Sequence, residues 1–315
     1  MQVIRYDDKY KHEWNDLVLN SRNGTFLLLR EYMDYHRNRF NDCSLLFLEK
    51  GNFKGCLPAN LSGNFICSHG GLTYGGLITY PEATYLQVQE MLESALKYYK
   101  NCFFISKFIY KPIPFIYYTY PVQEDLYWLF RKNARMVARS ISSTIDLQKP
   151  LNFSTLRKRH ANKAHNNQIM ISESKEERDW TAFWNILSNV LLTYHQCKPV
   201  HSVEEIKLLK SCFPEEIKLF TAQYDHKIIA GCVAYFTKTV IHIQYIASNP
   251  IGRDFGALEL LFKTMIESKI SENYNYLDFG ISTEKKGTYL NEGLLFQKEG
   301  FGGRATCYDQ YEIDF

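Results

Sequence analysis

Across its 315 residues the chain has no uninterrupted apolar run near the ~18 residues that a membrane-crossing helix needs. The opening stretch, MQVIRYDDKYKHEW, carries charges where a secretory leader would need an apolar centre, which points to a cytoplasmic protein. There is no CxxC pair and no HExxH, and the eight cysteines stand singly at 43, 56, 67, 102, 197, 212, 232 and 307, most of them inside apolar strand-like runs. They read as reduced core residues, with neither a disulfide framework nor a metal site. A net charge of +3 excludes a chain that is basic throughout, so any site for a polyanion is local.

Hydrophobic residues make up 45% of the chain, with 23 Tyr and 21 Phe, enough to fill real cores in about two domains of ~150 residues each. In the second half, Trp180, Phe183, Trp184, Leu187, Leu191 and Tyr194 recur at helical spacing. Ser202 followed by Glu205 forms a capping box that opens a second helix. Residues 217–224, 228–236 and 239–247 then read as an antiparallel meander joined by short turns at Asp225-His226 and Thr237-Lys238. A glycine-bearing loop, IGRDFG, leads into a helix with Leu258, Leu261, Phe262 and Met265 on one face, followed by strand YNYLDFG, helix NEGLLFQKE and a last strand. The first half repeats this order, ending on strand RMVARSISSTIDL, which places a boundary between 148 and 149. The expected fold class is α+β, with a mixed sheet and helices in each half.

Five stretches carry candidate chemistry. SHGGLTYGG, residues 68–76, concentrates glycine, and two readings stay open: a groove where Gly70, Gly71, Tyr74 and Gly75 let an acceptor lie against backbone, or a strand crossing and turn. It lacks the Gly-Lys-Ser/Thr ending of a phosphate loop, and its next helix starts too late for one. His69 within it is a candidate base, against the alternative of a hydrogen-bonded structural histidine. Arg157, Lys158 and Arg159 form a basic cluster that reads either as an anion site or as a solvated helix face, and His195 and His201 flank a helix junction. Asp278, apolar-flanked in LDFG, is expected to be either a base with a raised pKa or a turn cap. Residues 253–257 put loop amides and a helix N-terminus where an anion could bind, against an ordinary strand-to-helix turn.

Two of these segments, and a third at residues 285–303, carry a family resemblance. Arg253 and Gly256 resemble the pyrophosphate loop of the GNAT acyltransferases, with Leu258 departing from the small residue expected last. LRKRHANKAHNN resembles the basic segment that opens the second domain of FemABX-type transferases, Lys163-Ala164 matching and Asn162 departing. Residues 285–303 resemble that family's C-terminal signature through Gly287, Leu290, Asn291, Gly293, Leu294, Lys298, Phe301 and Gly302. The chain thus resembles a FemABX-like protein of two tandem GNAT-like domains, 1–148 and 149–315, of the type found among bacterial surface-polysaccharide genes.

The resemblance implies an N-acyltransferase that acts by direct transfer without a covalent enzyme intermediate. It implies acyl-CoA as donor, held by Gln244, Tyr245, Ile246, Arg253, Phe255, Gly256, Ala257 and Asn291. It implies Lys298 as a group that either neutralises charge at the reacting carbonyl or holds a phosphate. The expected acceptor is the amine of an amino sugar on a nucleotide or lipid carrier, entering an interdomain cleft, with peripheral contact to a membrane where the carrier is a lipid. Two alternatives stay open: an aminoacyl-tRNA donor, for which +3 is thin support, and a binding protein with a degenerate donor loop.

Overall fold

The computed structural model describes residues 1–315, the side chain of His195 excepted. The chain divides into two compact units, the first made of Met1–Ile141, Thr283–Tyr289 and Cys307–Phe315, the second of Ser142–Ser282 and Leu290–Thr306. The contacts therefore do not divide the chain by a single cut between 148 and 149, because residues near the C-terminus return to the first unit.

In chain order the first unit begins with β1 (Gln2–Arg5), α1 (Lys11–Asn20), α2 (Arg30–Asp34), β2 (Asn41–Asp42), β3 (Leu45–Glu49), β4 (Asn52–Leu57), β5 (Asn60–Ser62), β6 (Phe65–Cys67) and β7 (Ile78–Thr79). It continues with α3 (Tyr85–Cys102), β8 (Lys107–Tyr110), α4 (Glu124–Arg131) and β9 (Arg135–Asp146), whose last residues belong to the second unit. The apolar stretch FKGCLPANL is shared between two strands, β4 and β5. Pro58 lacks an N–H and fixes its φ, so the ladder breaks there. β4 then pairs in the sheet β1-β3-β4-β7, while β5 joins β2, β6 and β8. A core of Phe47, Met91, Leu92, Tyr99, Phe108 and Trp128 fills this unit.

The second unit holds α5 (Thr155–Asn166), β10 (Met170–Ser174), α6 (Glu177–His195), α7 (Val203–Cys212), β11 (Ile217–Tyr224), β12 (Lys227–Phe236), β13 (Val240–Ser248), α8 (Pro250–Phe255), α9 (Ala257–Glu267) and β14 (Tyr276–Ile281). After it come β15 (Thr283–Glu284), β16 (Tyr289–Leu290), α10 (Glu292–Gly300) and β17 (Arg304–Asp314). The meander forms as expected, and Asp225 and His226 close its first hairpin with φ of 47° and 59°, the left-handed pair that a tight turn requires. Ser202 and Glu205 cap α7 reciprocally at 3.1 and 2.8 Å. β10, an alternating stretch the pattern reading passed over, adds an edge strand antiparallel to β11. Leu258, Leu261, Phe262 and Met265 turn one face of α9 into a core with Phe279 and Phe301. Among the described residues no helix is long and apolar enough to cross a membrane.

One expectation is corrected here. IGRDFG is not a loop: Asn249 caps Gly252 N–H at 2.8 Å and Pro250 occupies the first helical turn, so Pro250–Phe255 is a short helix. It ends on Gly256 at φ 78°, and α9 starts at once.

Candidate active site

β13 alternates strictly over its first half, with Ile241 and Ile243 buried and His242 and Gln244 on the opposite, partly open face. β14 does the same with Leu277 and Phe279 in the core, which leaves Asp278 on the other side. The two strands run parallel, and their pairing joins Val240, Ile241 and His242 to Tyr276, Leu277 and Asp278. Register alone thus sets His242 beside Asp278, and the imidazole Nδ1 lies 2.9 Å from a carboxylate oxygen.

Asp278 is fully buried. Its second oxygen accepts from Ser142 Oγ at 2.5 Å and Thr144 Oγ1 at 2.9 Å, both on β9, and Thr306 Oγ1 lies 2.9 Å beyond Thr144. Burial pushes the carboxyl up, but the His242 ring and the two hydroxyls outweigh it and hold Asp278 below the usual carboxylate range, not above it as its apolar flanks suggest. An ionised carboxylate at Nδ1 selects the tautomer whose proton-accepting lone pair is on Nε2.

Past Asp278 the strand bends at Gly280, φ 74°, a left-handed position open to glycine, and ends on Ile281. The Gly280 and Ile281 carbonyls accept from Lys298 Nζ at 2.7 and 2.8 Å. Lys298 projects from α10, a helix started by Asn291, whose side chain accepts the Leu294 N–H at 3.0 Å. Burial lowers the Lys298 ammonium to about 8, opposed by the charge of Asp278. Asp278 and Lys298, singled out from sequence for separate reasons, share one centre with His242.

The proposed donor side follows β13. Tyr245 pairs with Val233 and Ile243 with Ala234, so Gln244 is an extra residue in the ladder, a bulge two positions from His242. Among the described residues, pairing with β14 has ended by this point. Gln244 and Ile246 are half-buried, whereas Tyr245 turns inward and its hydroxyl meets His201 Nδ1 at 2.5 Å. Arg253 gives one nitrogen to the Ser248 carbonyl at 3.2 Å and another to Tyr194 Oη at 2.9 Å, and Phe255 packs edge-on to Tyr224. Ala257 is buried at the start of α9. At Gly256 a Cβ would lie 2.5 Å from the His160 carbonyl, so the close approach that demands glycine here is to α5.

The proposed acceptor residues are dispersed. Gly70 and Gly71 are exposed, and Gly70 N–H donates to Asn60 Oδ1 at 2.6 Å. Tyr74 is buried with its hydroxyl 3.0 Å from Thr25, and the Gly75 amide donates to the Lys111 carbonyl at 3.0 Å. A Cβ on Gly75 would sit 2.0 Å from the Ser68 carbonyl. For Tyr74 and Gly75 the strand-crossing reading holds, because neither offers open backbone. His69 lies buried in the same unit at φ 56°, pushed down to about 3 by burial, which leaves a weak base. It belongs to the first unit, and Asp278 and Lys298 to the second.

The basic cluster is divided among three partners. Arg157 pairs with Glu259 and lies over the Phe301 ring, Lys158 reaches Asn152 at 3.3 Å, and Arg159 is exposed. His201 is buried, its carbonyl accepting from Trp184 Nε1 at 3.2 Å. The His195 side chain lies outside the described residues. Sequence reading passed over His242. The alternation of TVIHIQYIA puts it on the face of Gln244, but nothing local says that β14 will be its parallel neighbour.

Residues 175–289 match the family described as Acetyltransferase (GNAT) domain. No curated protein matches the chain in sequence. Among solved structures the chain is similar to FemX, with 11% identity and a TM-score of 0.71 over 100% of this chain and 98% of that one. It is similar to the C-terminal domain of a putative lysylphosphatidylglycerol synthetase from Agrobacterium fabrum, at 13% identity and 0.60 over 97% and 92%. It is also similar to a tandem GNAT protein from the clavulanic acid biosynthesis pathway, at 9% identity and 0.55 over 99% and 98%. The fold is that of the tandem GNAT proteins.

Proposed function

We propose that a chain of this fold, whose residues 175–289 match the GNAT domain and carry a partly open histidine on a buried aspartate beside a lysine, is an N-acyltransferase. The observation that carries the reading is His242 held by Asp278 at the point where β13 and β14 stop pairing, one bulge away from the strand's remaining backbone. In the reaction we assign, an acceptor amine attacks the carbonyl carbon of an acyl thioester. The C–N bond forms, the C–S bond breaks, and the thiolate leaves and takes up a proton. His242 Nε2 takes the proton released by the attacking nitrogen, and Asp278 stabilises the imidazolium that results. Lys298 spends two of its three N–H groups on the Gly280 and Ile281 carbonyls, and the third supplies positive charge to the developing oxyanion.

The donor we assign is acyl-CoA, lying along β13 past Gln244 with its phosphates toward Arg253 and the start of α9. Arg253 would have to exchange its contact with the exposed Tyr194 hydroxyl for a phosphate. The acceptor class is the amine of a sugar nucleotide or lipid-linked glycan precursor of surface polysaccharide. An aminoacyl ester donor is the second reading, favoured by the likeness to FemX and to the putative lysylphosphatidylglycerol synthetase domain. Thiol release from acetyl-CoA in the presence of amino-sugar acceptors tests the first reading. Transfer from aminoacyl-tRNA with no use of acetyl-CoA would establish the second, with the same His242 dependence.

A further inference from the structure

None of the basic residues of α5 belongs to the acyl-transfer centre. Arg157 is taken up by Glu259 and Phe301, and Lys163 by the Asp254 carbonyl and carboxylate at 2.7 and 3.0 Å. Lys158 instead lines a cavity of about 400 Å³ in the second unit. That volume falls within the ~300–1,000 Å³ typical of small-molecule sites.

The cavity is built from three pieces of chain. A strap at 150–153 brings Leu151 and Phe153, α5 brings Lys158, Ala161 and Asn162, and the C-terminal half of α9 brings Lys263, Ile266 and Glu267. The strap is fixed from below, since Gly302, at φ 94°, lets the Leu151 carbonyl approach to 2.8 Å of where a Cβ would stand. Leu151, Phe153, Ala161 and Ile266 make an apolar wall, while Lys158 and Lys263 stand against a single carboxylate, Glu267. Among the described residues neither Lys263 nor Glu267 is in an ion pair, and the Lys158 ammonium touches only the neutral amide of Asn152. The surplus is one positive charge over an apolar floor. The donor side faces the other end of α9, about 13.5 Å away along the helix for the nine steps from Ala257 to Ile266.

We infer that this cavity is a second binding site, for an amphiphilic anion: an apolar chain of several carbons against Leu151, Phe153 and Ile266, with a carboxylate or phosphate head between Lys158 and Lys263. The charge complementarity and the mixed lining carry the assignment, and it does not rest on the acyl-transfer reading. The same chemistry comes from a free fatty carboxylate or alkyl phosphate and from the headgroup of an anionic lipid.

The test is calorimetric titration of the full chain with decanoate, decyl phosphate, hexanoate and decanol. Saturable binding of the two ten-carbon anions is expected, with hexanoate and decanol weaker by about tenfold or more. Lys158→Glu and Lys263→Glu should each weaken decyl phosphate at least about tenfold, whereas Lys269→Glu, on the segment just beyond α9, should not. Lys158 is exposed, so its variant stays informative should Lys263→Glu unfold. Co-sedimentation with phosphatidylglycerol against phosphatidylcholine vesicles separates the sources. Capture by the anionic vesicles that Lys158→Glu abolishes assigns a lipid headgroup, and decyl phosphate binding without capture assigns a free amphiphile. Decanol binding as tightly as decanoate, no saturable binding of either anion, or indifference to both lysine changes overturns the site.

Discussion

His242 Nδ1 lies 2.9 Å from Asp278, and the two residues are direct partners in a parallel pair of strands, so the contact is a product of sheet register. Replacing the carboxylate by its amide tests what the contact does. In Asp278→Asn the Ser142 and Thr144 hydroxyls can still donate to the retained oxygen, but an NH₂ now faces His242 and drives the imidazole proton to Nε2. Acyl transfer should fall by about 10²-fold or more, the scale of a lost general base, while the donor KM stays within about threefold. Equal loss in both parameters, or a collapse in thermal stability with rate per folded molecule intact, would make the pair structural.

In the proposed mechanism Lys298 should set the basic limb of the rate. Its ammonium, lowered by burial to about 8, loses its charge as pH rises past that value, so kcat/KM should decline above about pH 8. Lys298→Arg, which keeps the charge through this range, should remove the decline even if it lowers the plateau. Unfolding does not mimic the effect through this residue. With the folded value below the unfolded ~10.4, the unfolded chain binds more protons between the two, so the Lys298 contribution to stability improves as pH rises through that window. A wild-type profile that is flat to pH 9.5, or an unchanged limb in Lys298→Arg, removes the ammonium from the mechanism.

The glycine run separates into packed and open positions. A Cβ on Gly75 would meet a backbone carbonyl at 2.0 Å, whereas on Gly71 it would meet side chains only, the far end of the partly exposed Phe40 ring and His36 Nε2 at 3.1 Å, which can give more readily than backbone. Gly75→Ala should therefore cost more than about 2 kcal/mol in urea unfolding and Gly71→Ala less than about 1 kcal/mol. The reverse order would mean that Gly75 backbone is open, as a groove requires.

His69 should contribute to acid unfolding. It is buried and neutral, with a folded value of about 3 against ~6.5 unfolded, so the unfolded chain takes up the proton first. Stability is lost as pH falls from about 6.5 toward about 3. His69→Asn, a residue that tolerates the φ of 56° found here, should shift the acid midpoint downward. An unchanged midpoint in chemical and thermal melts would show that another group controls that limb.

The second unit was the more legible half of the fold. Ser202 with Glu205, the meander turns and the Leu258 face of α9 are local signals with local causes, and each appears where the pattern put it. The first half misled where Pro58 divides one apolar stretch between two sheets, since composition does not say which strands will pair. At the site, Asp278 stands out by its apolar flanks, and Lys298 only through the family resemblance. His242 does not stand out, because its meaning comes from a residue 36 positions away on a parallel strand. Arg253 and Gly256 look like an anion loop in sequence because glycine before a helix serves anion approach and tight helix packing alike. Only the position of His160 tells which contact the glycine makes in this structure.

The central claim is that His242 is the base for acyl transfer to an amine, and the most direct measurement is amine-dependent thiol release from acetyl-CoA by wild type and His242→Gln at pH 7.5. The account predicts turnover in the wild type that rises with acceptor concentration, and a loss of about 10²-fold or more in His242→Gln with thermal stability within a few degrees. It also predicts that a more acidic acceptor amine, which loses its proton more readily, narrows that gap. Equal turnover in the two proteins, or a loss in His242→Gln that does not vary with acceptor pKa, would contradict it.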